Sequence, residues 1–251
     1  DQLNTRMSRD ATSRQDELGE LGRAFDHMSE RLQGTVRLQQ QLLRDMSHEL
    51  RTPLSRLRVA CDSEQDLAKL RERLGREIDA MQRLVEDSLQ LAWLDSETTP
   101  LPQEDIQLQA LWDILRENAC FESGWSASRL PCLLPADSWV RGNLNALAQA
   151  LENILRNAIR HSPHDGCVQL DGCREGGYWH IWLQDQGAGI AEDDLERIFA
   201  PFTRLDGSRP GDGGFGLGLS IARNAVQRQG GRLWAENTGR GLRVHLRLLA
   251  R

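Results

Sequence analysis

The sequence predicts two kinds of structure in one chain: a helical hairpin that dimerises into a four-helix bundle, then an α+β two-layer sandwich. Three observations carry this. Two apolar stripes at helical spacing fill the first third of the chain, and the proline-containing break Ser96-Glu97-Thr98-Thr99-Pro100-Leu101-Pro102 follows them. Beyond the break, helical stretches alternate with strand pairs joined by glycine turns, the pattern of helices layered on a hairpin-connected sheet. A length of 251 residues agrees with one to two domains.

The first stripe runs Leu43, Met46, Leu50, Leu54, Leu57 and Cys61, in steps of 3, 4, 4, 3 and 4. The second, with the same steps, runs Leu67, Leu70, Leu74, Ile78, Met81 and Val85. Each is one face of an amphipathic helix at coiled-coil spacing. The polar break Asp62-Ser63-Glu64-Gln65-Asp66 makes them an antiparallel hairpin. Two helices leave an apolar seam half covered, so a homodimer is expected. The alternative is that the hairpin packs on its own globular domain. Upstream, Asp16–Leu21 and Ala24–Met28 lead into a charged helical run. Downstream, helices are expected near 107–119 and 143–161, and strands at 167–174 and 178–184 about the turn Gly176-Gly177. A further helix is expected over 215–229, then a hairpin of 232–237 with 242–249.

Charge and composition exclude several classes. Basic residues number 31 against 37 acidic, a net charge of −6, which argues against a general nucleic-acid binder. Hydrophobic residues at 39% and charged residues at 27% fit a soluble globular protein rather than a disordered one. No apolar run reaches the ~18 residues of a membrane helix, and no stretch reads as a signal peptide. The first residue is Asp1, so the chain is expected to be a fragment of a longer protein. The cysteines (Cys61, Cys120, Cys132, Cys167, Cys173) form no C-x-x-C pair and read as reduced, packed side chains without a metal or disulfide role.

On the first helix stands Ser47-His48-Glu49-Leu50-Arg51-Thr52-Pro53. His48 is two residues from both Met46 and Leu50, about 200° around the helix from each, and so points away from the seam. Glu49 offers a carboxylate that would orient the imidazole or take its proton, leaving the other ring nitrogen nucleophilic. Thr52, four residues on, shares the face of His48. Pro53 should kink the helix there, at a cost of about 3 kcal/mol against alanine. Such a cost beside an exposed histidine points to function, although an idle surface histidine fits the geometry as well.

Three segments in the second half suit a nucleotide. Asn153 and Asn157 lie one turn apart on the 143–161 helix, where amide oxygens can serve a hard cation such as Mg²⁺. Arg156 and Arg160, also four apart, are suited to phosphate. Surface amides are the plain alternative. After a strand comes Asp185-Gln186-Gly187-Ala188-Gly189-Ile190, with an acceptor at the strand end and glycines for close backbone approach, or simply a tight turn. Then Gly211-Asp212-Gly213-Gly214-Phe215-Gly216-Leu217-Gly218 opens a helix, a backbone suited to phosphate but lacking the Gly-Lys-Ser/Thr of a Walker loop. Between them, Phe199-Ala200-Pro201-Phe202 precedes a polar stretch from Thr203 to Gly213 that reads as a lid carrying Arg204 and Arg209.

Together these segments resemble the cytoplasmic part of a bacterial two-component sensor histidine kinase. The His48 segment resembles the family's H box and 151–161 its N box. Asp185–Gly189 resembles the G1 box, Phe199–Phe202 the F box and Gly214–Gly218 the G2 box, all in family order. Residues 16–32 are similar to the last helix of a HAMP relay domain.

The resemblance implies a HAMP remnant over 1–36 and a dimerisation and phosphotransfer hairpin over 37–96. A linker over 97–105 and a GHKL-type ATP-binding domain over 106–251 complete it. It implies ATP and Mg²⁺ as cofactors. His48 would accept the γ-phosphoryl group with Glu49 as general base. Asn153 would hold Mg²⁺, with Asn157 supporting that site. Arg160 would touch phosphate, and Asp185 would accept from the adenine amino group. Gly187, Gly189, Gly214, Gly216 and Gly218 would line the nucleotide. The phosphoryl group would pass to an aspartate on the receiver domain of a response regulator, and Thr52 completes an H-E-x-x-T pattern tied to phosphatase action on it. His161 stands where the family often has tyrosine, a passive change or a pH-sensitive contact. The parent would be an inner-membrane receptor, this chain its cytoplasmic portion. A chaperone-type or mismatch-repair-type GHKL ATPase and a scaffold without kinase activity are the rivals. The H box speaks against the first, and intact H and N boxes against the second.

Overall fold

The computed structural model describes residues 17–63, 66–96, 101–205 and 214–251. The expectations for Asp16 and the residues before it, for 64–65, for 97–100 and for 206–213, Arg209 included, lie outside the described residues. The chain falls into two compact units, Asp1–Gln82 and Arg83–Arg251.

The first unit holds helix α1 (Glu17–Ser63) and the start of α2 (Leu67–Ser96). Asp66 caps α2: its Oδ1 accepts from the backbone N–H of Ala68 at 2.9 Å, satisfying a donor that the helix cannot. Arg56 on α1 meets Glu77 on α2 at 3.7 Å, as an antiparallel hairpin requires. The helix runs through Pro53, which is buried. Leu42 and Ala60 are buried too. The predicted stripe is only part-covered: Leu43 is 65% exposed, Leu54 52% and Ile78 55%. Two helices give each other one flank of cover, so the other flank of the seam faces outward.

In the second unit a four-stranded antiparallel sheet runs in the order β3-β4-β6-β5. Its strands are β3 (Gln169–Glu175), β4 (Tyr178–Gln184), β5 (Arg232–Thr238) and β6 (Gly241–Leu249). Three helices cover it: α3 (Leu108–Ser123), α4 (Leu144–His161) and α5 (Gly218–Gln227). Burial alternates along β4, with Trp179, Ile181 and Leu183 turned to the core. Leu170, Ile181, Leu183, Leu233, Val244 and Leu246 join the core with Trp112, Leu151, Ile154, Ala222 and Val226 of the helices. The other face carries Cys173, His180, Trp182, Trp234, Glu236 and His245, set side by side by pairings such as Cys173 with His180 and Trp234 with His245. Trp112, fully buried, satisfies its indole N–H on the Leu130 carbonyl at 3.3 Å.

Two strands escaped the sequence reading: β1 (Glu104–Gln107) and β2 (Trp139–Gly142), an antiparallel pair that brackets α3. Within Glu104–Gln107 only Ile106 is apolar and buried, too little alternation to register as a strand. The last helix begins at Gly218 and not near 215, because the glycines ahead of it are spent on close contacts described below. The cysteines are free, as expected, but Cys61 and Cys173 are exposed rather than packed.

Candidate active site

Helix α4 is the floor of the candidate site. Its start is fixed by Asn143, whose side chain accepts from the Ala146 N–H at 3.0 Å. One turn apart on its half-buried face lie Asn153 and Asn157. Asn153 Nδ2 donates to the Gln149 carbonyl at 3.1 Å, which leaves Oδ1 without a protein donor among the described residues. Asn157 makes no side-chain hydrogen bond among the described residues either. Two part-buried amides with open oxygens fit a hard cation.

The glycine segments close on this helix. A Cβ on Gly218 would sit 3.1 Å from Asn153 Oδ1, and one on Gly214 would collide with the Arg160 guanidinium. At Gly187 a Cβ would come within 2.7 Å of the His161 carbonyl. Gly216, at φ +73°, lies so close to the Thr203 carbonyl that a Cβ would meet it at 2.5 Å. Phe202 beside it is the one non-glycine residue with positive φ, 57°, among the described residues. Asn153, Arg160, His161, Gly187, Gly214 and Gly218 therefore meet around one helix.

Asp185 sits at the end of β4, 3% exposed. Its Oδ1 accepts from the N–H of Gly187 and of Leu242, both at 2.9 Å, and its own N–H donates to the Leu242 carbonyl at 3.0 Å. Oδ2 receives no hydrogen bond from the described residues, so one oxygen is locked to the frame and the other is open to a ligand donor. Burial pushes the carboxyl pKa up, opposed by the two backbone N–H groups and by charge on His161. Gly241 leaves room for this arrangement: a Cβ there would fall 2.5 Å from both Asp185 O and Oδ1.

One functional residue was not anticipated. Asn237 on β5 clamps the loop after Gly189: its Nδ2 donates to the Ile190 carbonyl at 2.7 Å and its Oδ1 accepts from the Ile190 N–H at 3.0 Å. The same Oδ1 would lie 2.9 Å from a Cβ on Gly189, which has φ +70°. A lone amide near the end of an alternating strand was the available signal. One expectation is corrected. Arg156 does not face phosphate but grips Glu122 with two nitrogens, at 3.0 and 3.2 Å, and Glu152 at 3.0 Å.

In the first unit His48 and Thr52 are both exposed, and His48 makes no hydrogen bond or ion pair among the described residues. Glu49 is half-buried and does not bond His48, since successive helical side chains diverge by about 100°. Arg204 is exposed at the start of the expected lid.

Comparison with known proteins identifies the family. Residues 142–251 match the histidine kinase-, DNA gyrase B-, and HSP90-like ATPase family, 38–97 the His Kinase A phospho-acceptor domain and 2–34 the HAMP domain. Sensor protein PfeS of Pseudomonas aeruginosa is 58% identical over 98% of the chain. The chain belongs to the two-component sensor histidine kinases. It spans about half the length of the curated relatives it matches, 55% for PfeS. Among solved structures, Acinetobacter baumannii histidine kinase AdeS superposes with a TM-score of 0.65 at 26% identity, covering 80% of this chain and 97% of that one. Histidine kinase ThkA, solved in complex with response regulator protein TrrA, gives 0.72 at 20% identity over 94% of this chain and 68% of that one, a likeness of fold.

Proposed function

We propose that this chain autophosphorylates on His48 with ATP and passes the phosphoryl group to an aspartate on the receiver domain of a response regulator. The observation that carries the reading is the closure of Gly187, Gly214 and Gly218 onto Asn153, Arg160 and His161 of one helix. That closure leaves Asp185 Oδ2 and Asn153 Oδ1 as open acceptors. Asp185 takes the hydrogen bond of the adenine amino group, and the close-set glycines admit the rest of the nucleotide. Arg160 neutralises phosphate charge. Mg²⁺, held by Asn153 with Asn157 in support, would spread the charge of the phosphates.

The transfer is an in-line displacement. A ring nitrogen of His48 bonds to the γ-phosphorus as the bond to the ADP oxygen breaks, and Glu49 takes the imidazole proton. In the described structure Glu49 is half-buried and makes no hydrogen bond to His48, so this role requires its carboxylate to move. Thr52, on the same exposed face, serves hydrolysis of the regulator's phosphoaspartate, the reverse arm of the signal. The exposed leucines of the hairpin support a homodimer that covers them. ThkA, solved with a response regulator, supports a partner of that class.

Domain limits of 37–96 for the hairpin and 106–251 for the catalytic part belong to the same reading, with the HAMP-like residues joining it to an inner-membrane receptor. No helix among the described residues is long and apolar enough to cross a membrane. A chaperone-type or mismatch-repair-type ATPase shares the nucleotide fold but gives no account of the 38–97 match.

Incubation with ATP labelled at the γ-phosphate tests the proposal. Acid-labile, base-stable label appears on the wild-type chain and on Cys61→Ala, and is absent from His48→Ala. ATP hydrolysis with no label on the wild type would sink it.

A further inference from the structure

The outer face of the sheet holds polar chemistry that the nucleotide site does not use. Cys173 and His180 are paired across β3 and β4, and Glu175 is two residues along on the same face. Glu175 Oε1 lies 3.7 Å from Cys173 Sγ and 3.4 Å from His180 Nδ1. One ligand atom from each of the three falls within 4.8 Å of the others. We propose that Cys173 Sγ, the Glu175 carboxylate and His180 Nδ1 form a binding site for a borderline-soft divalent cation of the zinc class.

The proton arrangement behind His180 favours this. His180 Nε2 is 2.9 Å from His245 Nδ1, and His245 Nε2 faces Glu236 Oε1 at 3.1 Å, a close but bent approach. A carboxylate only accepts, so with the proton of a neutral His245 on Nε2, the nitrogen that faces Glu236, its Nδ1 is a lone pair. In that tautomer His180 donates from Nε2, which leaves its Nδ1 lone pair aimed at the Glu175 carboxylate, whereas the opposite tautomer would put the proton on Nδ1. Two acceptors 3.4 Å apart repel unless a cation stands between them. The Glu236–His245–His180 chain is also the outer support that orients a ligating imidazole. Trp234 stacks on both histidine rings, at 5.1 Å from His180 and 5.0 Å from His245, and holds them in place. Thiolate, imidazole and carboxylate are the zinc ligand set, and three protein ligands leave a fourth position for water. Binding releases the thiol proton of Cys173 to solvent.

The test is titration of the full chain with Co²⁺ at neutral pH, followed by displacement with Zn²⁺. A thiolate-to-cobalt charge-transfer band is expected to saturate at one ion per chain and to vanish on adding Zn²⁺. Cys173→Ser, at an exposed position, abolishes the band while Cys61→Ser keeps it. Glu236→Gln, which touches no ligand to the ion, weakens affinity about 10- to 100-fold. If a proton on Nδ1 is what separates the two acceptors, the wild-type chain shows no band and the proposal is overturned. A band that survives Cys173→Ser overturns it as well.

Discussion

Arg160 fills the space that a side chain at position 214 would need, so the second glycine segment and helix α4 are fitted to one another at that point. The glycine is there for the arginine beside it, with no turn to explain it. The collision involves the far end of a flexible side chain, which separates its effect on binding from its effect on folding.

Gly214→Ala is therefore expected to leave the thermal midpoint nearly unchanged while it pushes the guanidinium aside. Losing one charge-assisted contact to phosphate is worth about 1.5–3 kcal/mol, or roughly a 10- to 100-fold loss of ATP affinity. Calorimetric titration with a non-hydrolysable ATP analogue, beside a melting curve, checks both halves.

The two arginines of α4 should behave differently although they are one turn apart. Arg160→Ala lowers nucleotide affinity at least tenfold. Arg156→Ala leaves it unchanged, because that side chain is held by Glu122 and Glu152, and it costs about 1 kcal/mol of stability at most. Equal affinity losses in the two variants would refute the assignment.

Asp185 sets affinity against stability. Its pKa in the folded chain is raised, so the stability this group contributes is fully present below the unfolded value of 3.8 and is lost as pH rises through the folded value. At pH 7 the buried charge is a burden on the fold. An amide at 185 can keep both backbone N–H bonds on its oxygen without that charge. Asp185→Asn is thus expected to melt higher than wild type at pH 7, with the gap closing below pH 3.8. It loses affinity for ATP and discriminates less against a nucleotide that lacks the exocyclic amino group.

The hairpin offers a test of assembly. Burial of a leucine-sized side chain is worth about 1.5–3 kcal/mol, so Leu54→Glu or Ile78→Glu should weaken the dimer by roughly tenfold or more. Sedimentation equilibrium would report monomer at concentrations where the wild type is dimeric, with helix content retained. An unchanged association constant in both variants would mean that these side chains face solvent in the assembled protein.

Most of this was legible because glycine, proline and helical spacing write backbone geometry directly into sequence. The stripes from Leu43 and Leu67 and the strand pair about Gly176-Gly177 follow from local rules. Three features do not. The β1–β2 pair is held by partners 35 or so residues apart, with one buried residue in Glu104–Gln107 to announce it. Asn237 acts on Ile190 from another strand, and nothing near it in sequence says so. The exposed cluster of Cys173, Glu175 and His180 exists only once β3 and β4 pair, so a search for C-x-x-C spacing passes over it. Arg156 was misread because spacing gives angular separation along a helix and says nothing about which carboxylates a neighbouring helix presents.

Phe202 holds a left-handed backbone that costs an L-residue about 1–2 kcal/mol, and glycine would hold it for nothing. Phe202→Gly is accordingly expected to relieve the backbone while removing the ring, and a melting curve paired with a phosphorylation time course would separate the two effects. Glycine or asparagine would hold this bend at less backbone cost. The phenylalanine makes this bend a place where the fold carries strain beside Gly216, at the edge of the nucleotide site.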